Sequence, residues 1–152
     1  MQRFTKYNLR VQLRPKKKKN KAARIDWQPA PDVDKRIKYL AKNLDLDWLN
    51  KDNIHSFRSK NSKTRAHARI WGLPRIWQKA LQEEASYIIE VISEKYDRLS
   101  EKERDKVLLH EFVHIPKNFS GSLVPHYRKG RRNFHNKVEV LINKYMKHRK
   151  SK

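Results

Sequence analysis

His110, Glu111 and His114 lie in the run Val107-Leu108-Leu109-His110-Glu111-Phe112-Val113-His114-Ile115-Pro116, and their types and spacing suit chemistry on an α-helix. Imidazoles at i and i+4 stand about one turn apart on one side of a helix, close enough to share one tetrahedral metal ion. The carboxylate between them can hold a water beside that ion. The implied chemistry is hydrolysis at zinc (Zn2+), with Glu111 as the base. A catalytic zinc takes three protein ligands and keeps a fourth position open, so the chain must supply one more donor. Cysteine is absent, which leaves His, Asp and Glu to provide it. His126 is the candidate third ligand, because the loop before it contains Gly121 and is long enough to fold back to the motif. His135 and Glu139 are its rivals. His55, His67 and His148 lie far from the motif in sequence and read as exposed or hydrogen-bonded side chains.

The element that carries the pair can be delimited. Ser100 and Glu103 form a capping box, in which hydroxyl and carboxylate each satisfy a backbone amide left unpaired at a helix start, so the helix begins at about Glu101. Val107, His110, Glu111 and His114 line one side, while Leu108, Phe112 and Ile115 form an adjacent apolar stripe. Pro116 stops the helix, because it lacks an amide proton and disfavours helix at the residue before it. The ligands therefore fall at the C-terminal end of a short helix.

Upstream, Trp27 to Pro31 reads as a linker, and Asp32 or Asp34 as the cap of a helix over about 32 to 44 carrying Val33, Ile37, Leu40 and Leu44. Ile54 to Arg58 alternates like a strand, as does Ala66 to Trp71. The polar segment Ser59 to Lys63 between them suggests a hairpin. Arg75 to Gln82 reads as a short helical turn, and the β-branched run Tyr87 to Ile92 as a strand directly before the motif helix. Phe134, Val138, Leu141, Ile142 and Tyr145 give the apolar face of a last helix starting near Asn133, whose basic end suits the helix dipole.

At 152 residues and 37% hydrophobic content the chain supports one modest domain. No apolar stretch is long enough to span a membrane and no secretory signal is evident, so a cytoplasmic protein without a membrane role is expected. The formal net charge of +22, from 38 Lys+Arg against 16 Asp+Glu, predicts attraction to polyanions, above all nucleic acid. The charge is densest at the N-terminus, where no acidic residue precedes Asp26 and Lys16 to Lys19 follow Arg10 and Arg14. The division expected is a basic arm over residues 1–25 and a folded domain over 26–152. Trp71, Trp77 and Tyr127 could stack on bases, but tryptophans in a small domain are more often packed in its core.

Several blocks occur in the order of one known family: Ala68 to Gln78, Tyr87 to Val91, His110 to Pro116, and Phe119-Ser120-Gly121-Ser122-Leu123-Val124-Pro125-His126. Through them the chain from Ala66 to His126 resembles the phage metallopeptidase family, also seen in archaea and similar in organisation to minimal zincins such as the SprT-like peptidases. Ser122 and Val124 depart from the commoner glycine and arginine of the last block. The resemblance implies an α+β fold: a small zincin-like domain with a leading helix, a short, mostly antiparallel sheet, an active-site helix and a closing helix. It further implies that His110, His114 and His126 are the zinc ligands, that Glu111 is the general base, and that the reaction is peptide hydrolysis. An oxyanion stabiliser is expected from His135, Tyr127 or Arg128, and Tyr87 to Ile92 is expected as a sheet edge on which an extended peptide pairs.

Overall fold

The computed structural model describes residues 23–127 and 133–151, so the basic arm falls almost wholly outside the described residues, as does Arg128. The elements run β1 (Asp26–Pro29), α1 (Pro31–Asn43), β2 (Ile54–Lys60), β3 (Ala68–Gly72), α2 (Arg75–Leu81), β4 (Tyr87–Ile92), α3 (Ser93–Tyr96), α4 (Glu101–Val113) and α5 (Asn133–Lys150). The fold is α+β. The four strands form one sheet in the order β1-β2-β4-β3. The β1–β2 and β3–β4 pairings are antiparallel and β2–β4 is parallel, so the sheet is mostly antiparallel as expected.

Three expectations are corrected here. Residues 26–29 are an edge strand rather than part of a linker: all four are exposed, so no apolar alternation marks them. β2 and β3 are both strands, but they do not form a hairpin, because β4 lies between them. Their connector, residues 61–67, is long enough to skip a strand position, and the β-branched run of β4 gains more by pairing on both sides in the middle of the sheet. It follows that β4 is not an edge. The free edge beside α4 is that of β3.

α1 starts without a side-chain cap: Ala30 is the N-cap and Pro31 opens the helix, where a missing amide proton costs nothing. Asp34 is instead drawn to β2, where its carboxylate accepts from the Ser56 hydroxyl at 2.5 Å, while the Ala30 amide donates to the Ser56 carbonyl at 3.1 Å. Val33, Ile37 and Leu40 of α1 pack with Ile89 and Val91 of β4 and with Leu108, Leu109 and Phe112 of α4 into one core on one face of the sheet.

A buried carboxylate sets the angle of α4 between its two neighbouring helices. Asp105, with no exposed surface, accepts from Arg36 Nε at 2.6 Å and Nη2 at 2.5 Å, and from the Tyr145 hydroxyl at 2.5 Å. One side chain thus ties α1, α4 and α5, and the fork geometry of the guanidinium leaves little freedom of rotation. Among the described residues, no helix is long and apolar enough to cross a membrane.

Candidate metal centre

α4 begins where its capping box places it. The Ser100 amide donates to Glu103 Oε2 at 2.9 Å, the Glu103 amide donates to Ser100 Oγ at 3.4 Å, and Glu101 is the first helical residue. The helix runs to Val113, so His110 sits on its last turn and His114 is its C-cap, with ring centroids 5.3 Å apart. Two bonds, one between backbone groups and one from a side chain, attach the following loop to the helix end. The Val124 amide donates to the His114 carbonyl at 2.7 Å, and His114 Nδ1 lies 2.6 Å from the Val124 carbonyl oxygen. A carbonyl can only accept, so Nδ1 carries the proton and the lone pair of His114 is on Nε2.

The loop brings His126 back to the motif. His126 Nε2 stands 2.9 Å from His110 Nε2, a separation at which a shared proton or a shared cation satisfies both nitrogens. One ligand atom from each of His110, His114 and His126 lies within 4.8 Å of the others, and this is the metal-ligating cluster found among the described residues. His135 and Glu139, the rivals for third ligand, are not part of it. The donor set fits a tetrahedral ion: three imidazoles converge, and two nitrogens bonded at the usual 2.0–2.1 Å to one such ion stand about 3.3 Å apart. Phe134, buried at the start of α5, packs its ring against all three imidazoles at centroid distances of 5.1, 4.5 and 4.7 Å.

The electrostatics follow from burial. Desolvation, with smaller contributions from His114, His126 and His135, pushes the His110 imidazole down to about 4, and burial likewise lowers His114. Both rings therefore stay neutral, as ligation requires. Glu111 is 6% exposed, and burial pushes its carboxyl up to about 7. A cleft of about 640 Å³ opens over these groups, lined by Ala68, Arg69 and Ile70 of β3 on one side and by Lys106, His110 and Glu111 of α4 on another.

The loop holds its shape through residues whose part at the site sequence reasoning missed. Gly121, at φ +87, donates its amide to the Tyr87 hydroxyl at 2.8 Å, and that hydroxyl donates to the Ser122 carbonyl at 2.8 Å. Gln78 Nε2 donates to the carbonyls of Leu73 at 2.7 Å and Ser120 at 2.9 Å, fastening the loop to the end of β3. Gly72 faces Gly121 so closely that a Cβ on either would collide with backbone of the opposing segment. The Gly72-Leu73-Pro74 punctuation was the available signal. His67 and His55 are both exposed, as expected, and His67 stands at the rim of the cleft. Trp71, Trp77 and Tyr127 are 49%, 56% and 74% exposed, contrary to the expectation of packed aromatics.

A buried carboxylate between two histidines of one helix, a third histidine clamped opposite, and a sheet edge along the cleft define the class: a small α+β domain with a three-histidine cluster that could hold a metal ion. The model of the family described as putative phage metallopeptidase matches residues 25–146, and the chain belongs to that family. No curated protein and no solved structure matches it.

Proposed function

We propose that the protein is a zinc-dependent peptidase in which His110, His114 and His126 hold the ion and Glu111 is the general base. The observation that carries this reading is the convergence of three imidazole nitrogens within 4.8 Å of one another beside a buried carboxylate. Zinc bound there would supply Lewis acidity, acidifying a water and polarising the scissile carbonyl. Glu111, with its proton affinity raised to about 7 by burial, can take a proton from that water near neutral pH and pass it to the leaving amine. The Val124 carbonyl fixes the His114 tautomer, so the nitrogen facing the cluster is unprotonated.

The unpaired edge of β3 offers backbone donors and acceptors to an extended peptide, orienting its carbonyl toward Glu111. His135, beside the Phe134 ring that packs on all three imidazoles, is proposed to stabilise the oxyanion. Protein or peptide is the substrate class, and the basic arm over residues 1–25 is proposed to bring the enzyme to nucleic acid. Glu111→Gln tests the reading. It should retain stoichiometric zinc and the thermal stability of the parent while losing hydrolysis of a fluorogenic peptide, and hydrolysis at the parental rate would refute the assigned base.

A further inference from the structure

We propose that the open face of the sheet is a stacking platform for single-stranded DNA, a function separate from the metal centre. In the pairing register Trp27, Phe57, Ile88, Glu90 and Trp71 fall on one face, while Ile89 and Val91 point to the core on the other. No described element covers the first face: Trp27 is 52% exposed, Trp71 49% and Ile88 38%. These five side chains line a hollow of about 430 Å³. Its long dimension is diagonal, from β1 at the level of Ser59 to β3 at the level of His55. That is roughly 20 Å by strand spacing and rise, room for a few stacked nucleotides.

The platform is built rather than left over. Glu90, 1% exposed, accepts from Arg69 Nη2 at 2.9 Å and 3.1 Å and from Trp71 Nε1 at 2.9 Å. The Arg69 guanidinium also sits 5.2 Å from the Trp71 ring centroid. A buried carboxylate is thus used to hold an exposed indole at a fixed angle, and its charge is cancelled by the same arginine. Pre-set aromatic rings cost little ordering entropy when a ligand stacks on them, and every base has a π-face to offer.

Charge selects the occupant. The start of β1, the end of β2 and the start of β3 meet at one end of the sheet, where the flanking segments carry the exposed Arg24, Lys63 and Arg65 against Glu94. The described chain begins at Ala23 at that same end, and residues 1–22 that precede it in sequence carry nine Lys and Arg and no acid. An apolar aromatic surface bordered by cations matches a strand with bases on one side and phosphates on the other. Phe57 and Ile88 offer a 2′-hydroxyl no hydrogen bond, so RNA gains no contact from them that DNA lacks, and the occupant proposed is DNA.

The test uses the full chain loaded with zinc and a fluorescein-labelled oligothymidylate of about a dozen nucleotides, read by anisotropy. Trp27→Ala and Trp71→Ala should each weaken binding by about fivefold to a hundredfold, and Trp71→Phe, which keeps a ring, by much less. Binding to duplex DNA should be unchanged in all three, because paired bases cannot reach the rings. Zinc content should match the parent in every variant, and peptide hydrolysis should match it in Trp27→Ala, which lies on β1 at the far edge of the sheet from the cleft, so failure here is distinguishable from failure of the peptidase reading. Parental affinity for oligothymidylate in the Trp27→Ala, Trp71→Ala double variant would overturn the proposal. So would tighter binding of the matching RNA, or a change in sedimentation of the variants without a change in DNA affinity, which would assign the face to a second copy of the chain.

Discussion

Gly121→Ala probes the coupling between loop shape and metal binding. Gly121 has φ +87, a conformation that costs an L-residue about 1–2 kcal/mol, and its new Cβ would collide with the Leu73 carbonyl and the Gln78 amide. Relief requires the loop to lift from the end of β3. That breaks the Gln78 bond to the Ser120 carbonyl and the Gly121 amide's bond to the Tyr87 hydroxyl, each worth about 1 kcal/mol net. The sum is about 3 kcal/mol, or about 150-fold in an equilibrium constant. If the lifted loop carries His126 away from His110, the loss appears as weaker zinc affinity, measured by competition with a chromogenic chelator. If the loop stays down under strain, it appears instead as a fall in Tm of about 6–12 °C by calorimetry of the metal-free protein. The α4 capping box and the His110–His114 pair are not touched, so helix content should not change. Unchanged zinc affinity together with unchanged Tm would refute the view that Gly121 positions the third histidine.

Other perturbations separate the remaining parts of the account. Asp105→Ala removes the buried acceptor of Arg36 and Tyr145 and should cost about 3–5 kcal/mol in urea unfolding, with a loss under 1 kcal/mol contradicting its role as the tie between α1, α4 and α5. Burial raises the Glu90 pKa, but the bonds from Arg69 and Trp71 outweigh it and leave the group below its ordinary 4.5. Its contribution to stability is therefore present above about pH 4.5 and lost as pH falls below that value, so Glu90→Gln should flatten the acid limb of a stability–pH curve. His126→Ala should lower zinc affinity strongly while His135→Ala keeps the zinc and affects turnover at most, and the reverse pattern would move the third ligand to α5. Removing residues 1–24 should flatten the salt dependence of DNA binding by roughly 0.7–0.9 per lost phosphate contact, with zinc and peptide hydrolysis retained.

What was legible in the sequence was what side-chain type encodes locally. Ser100 and Glu103 fixed the start of α4 to the residue, Pro116 fixed its end closely, and the β-branched run placed β4 exactly. The i, i+4 spacing put His110 and His114 on one turn. Strand order was not legible, because local alternation says that a segment is extended but not which neighbour it pairs with, and β4 inserts between β2 and β3 only in the folded sheet. β1 was missed because four exposed residues carry no pattern. The loop that delivers His126 is held largely through backbone carbonyls of Val124, Ser120 and Leu73, atoms that every residue has. The exposed tryptophans inverted a general tendency of core aromatics, which is why Trp27 and Trp71 point to a surface function.

The most direct test of the central claim is X-ray absorption of the protein loaded with one equivalent of zinc. Three imidazole nitrogens at about 2.0–2.1 Å and one further oxygen from water are predicted, the open arrangement that hydrolysis requires. Four protein ligands, or a shell with fewer than three imidazoles, would contradict it.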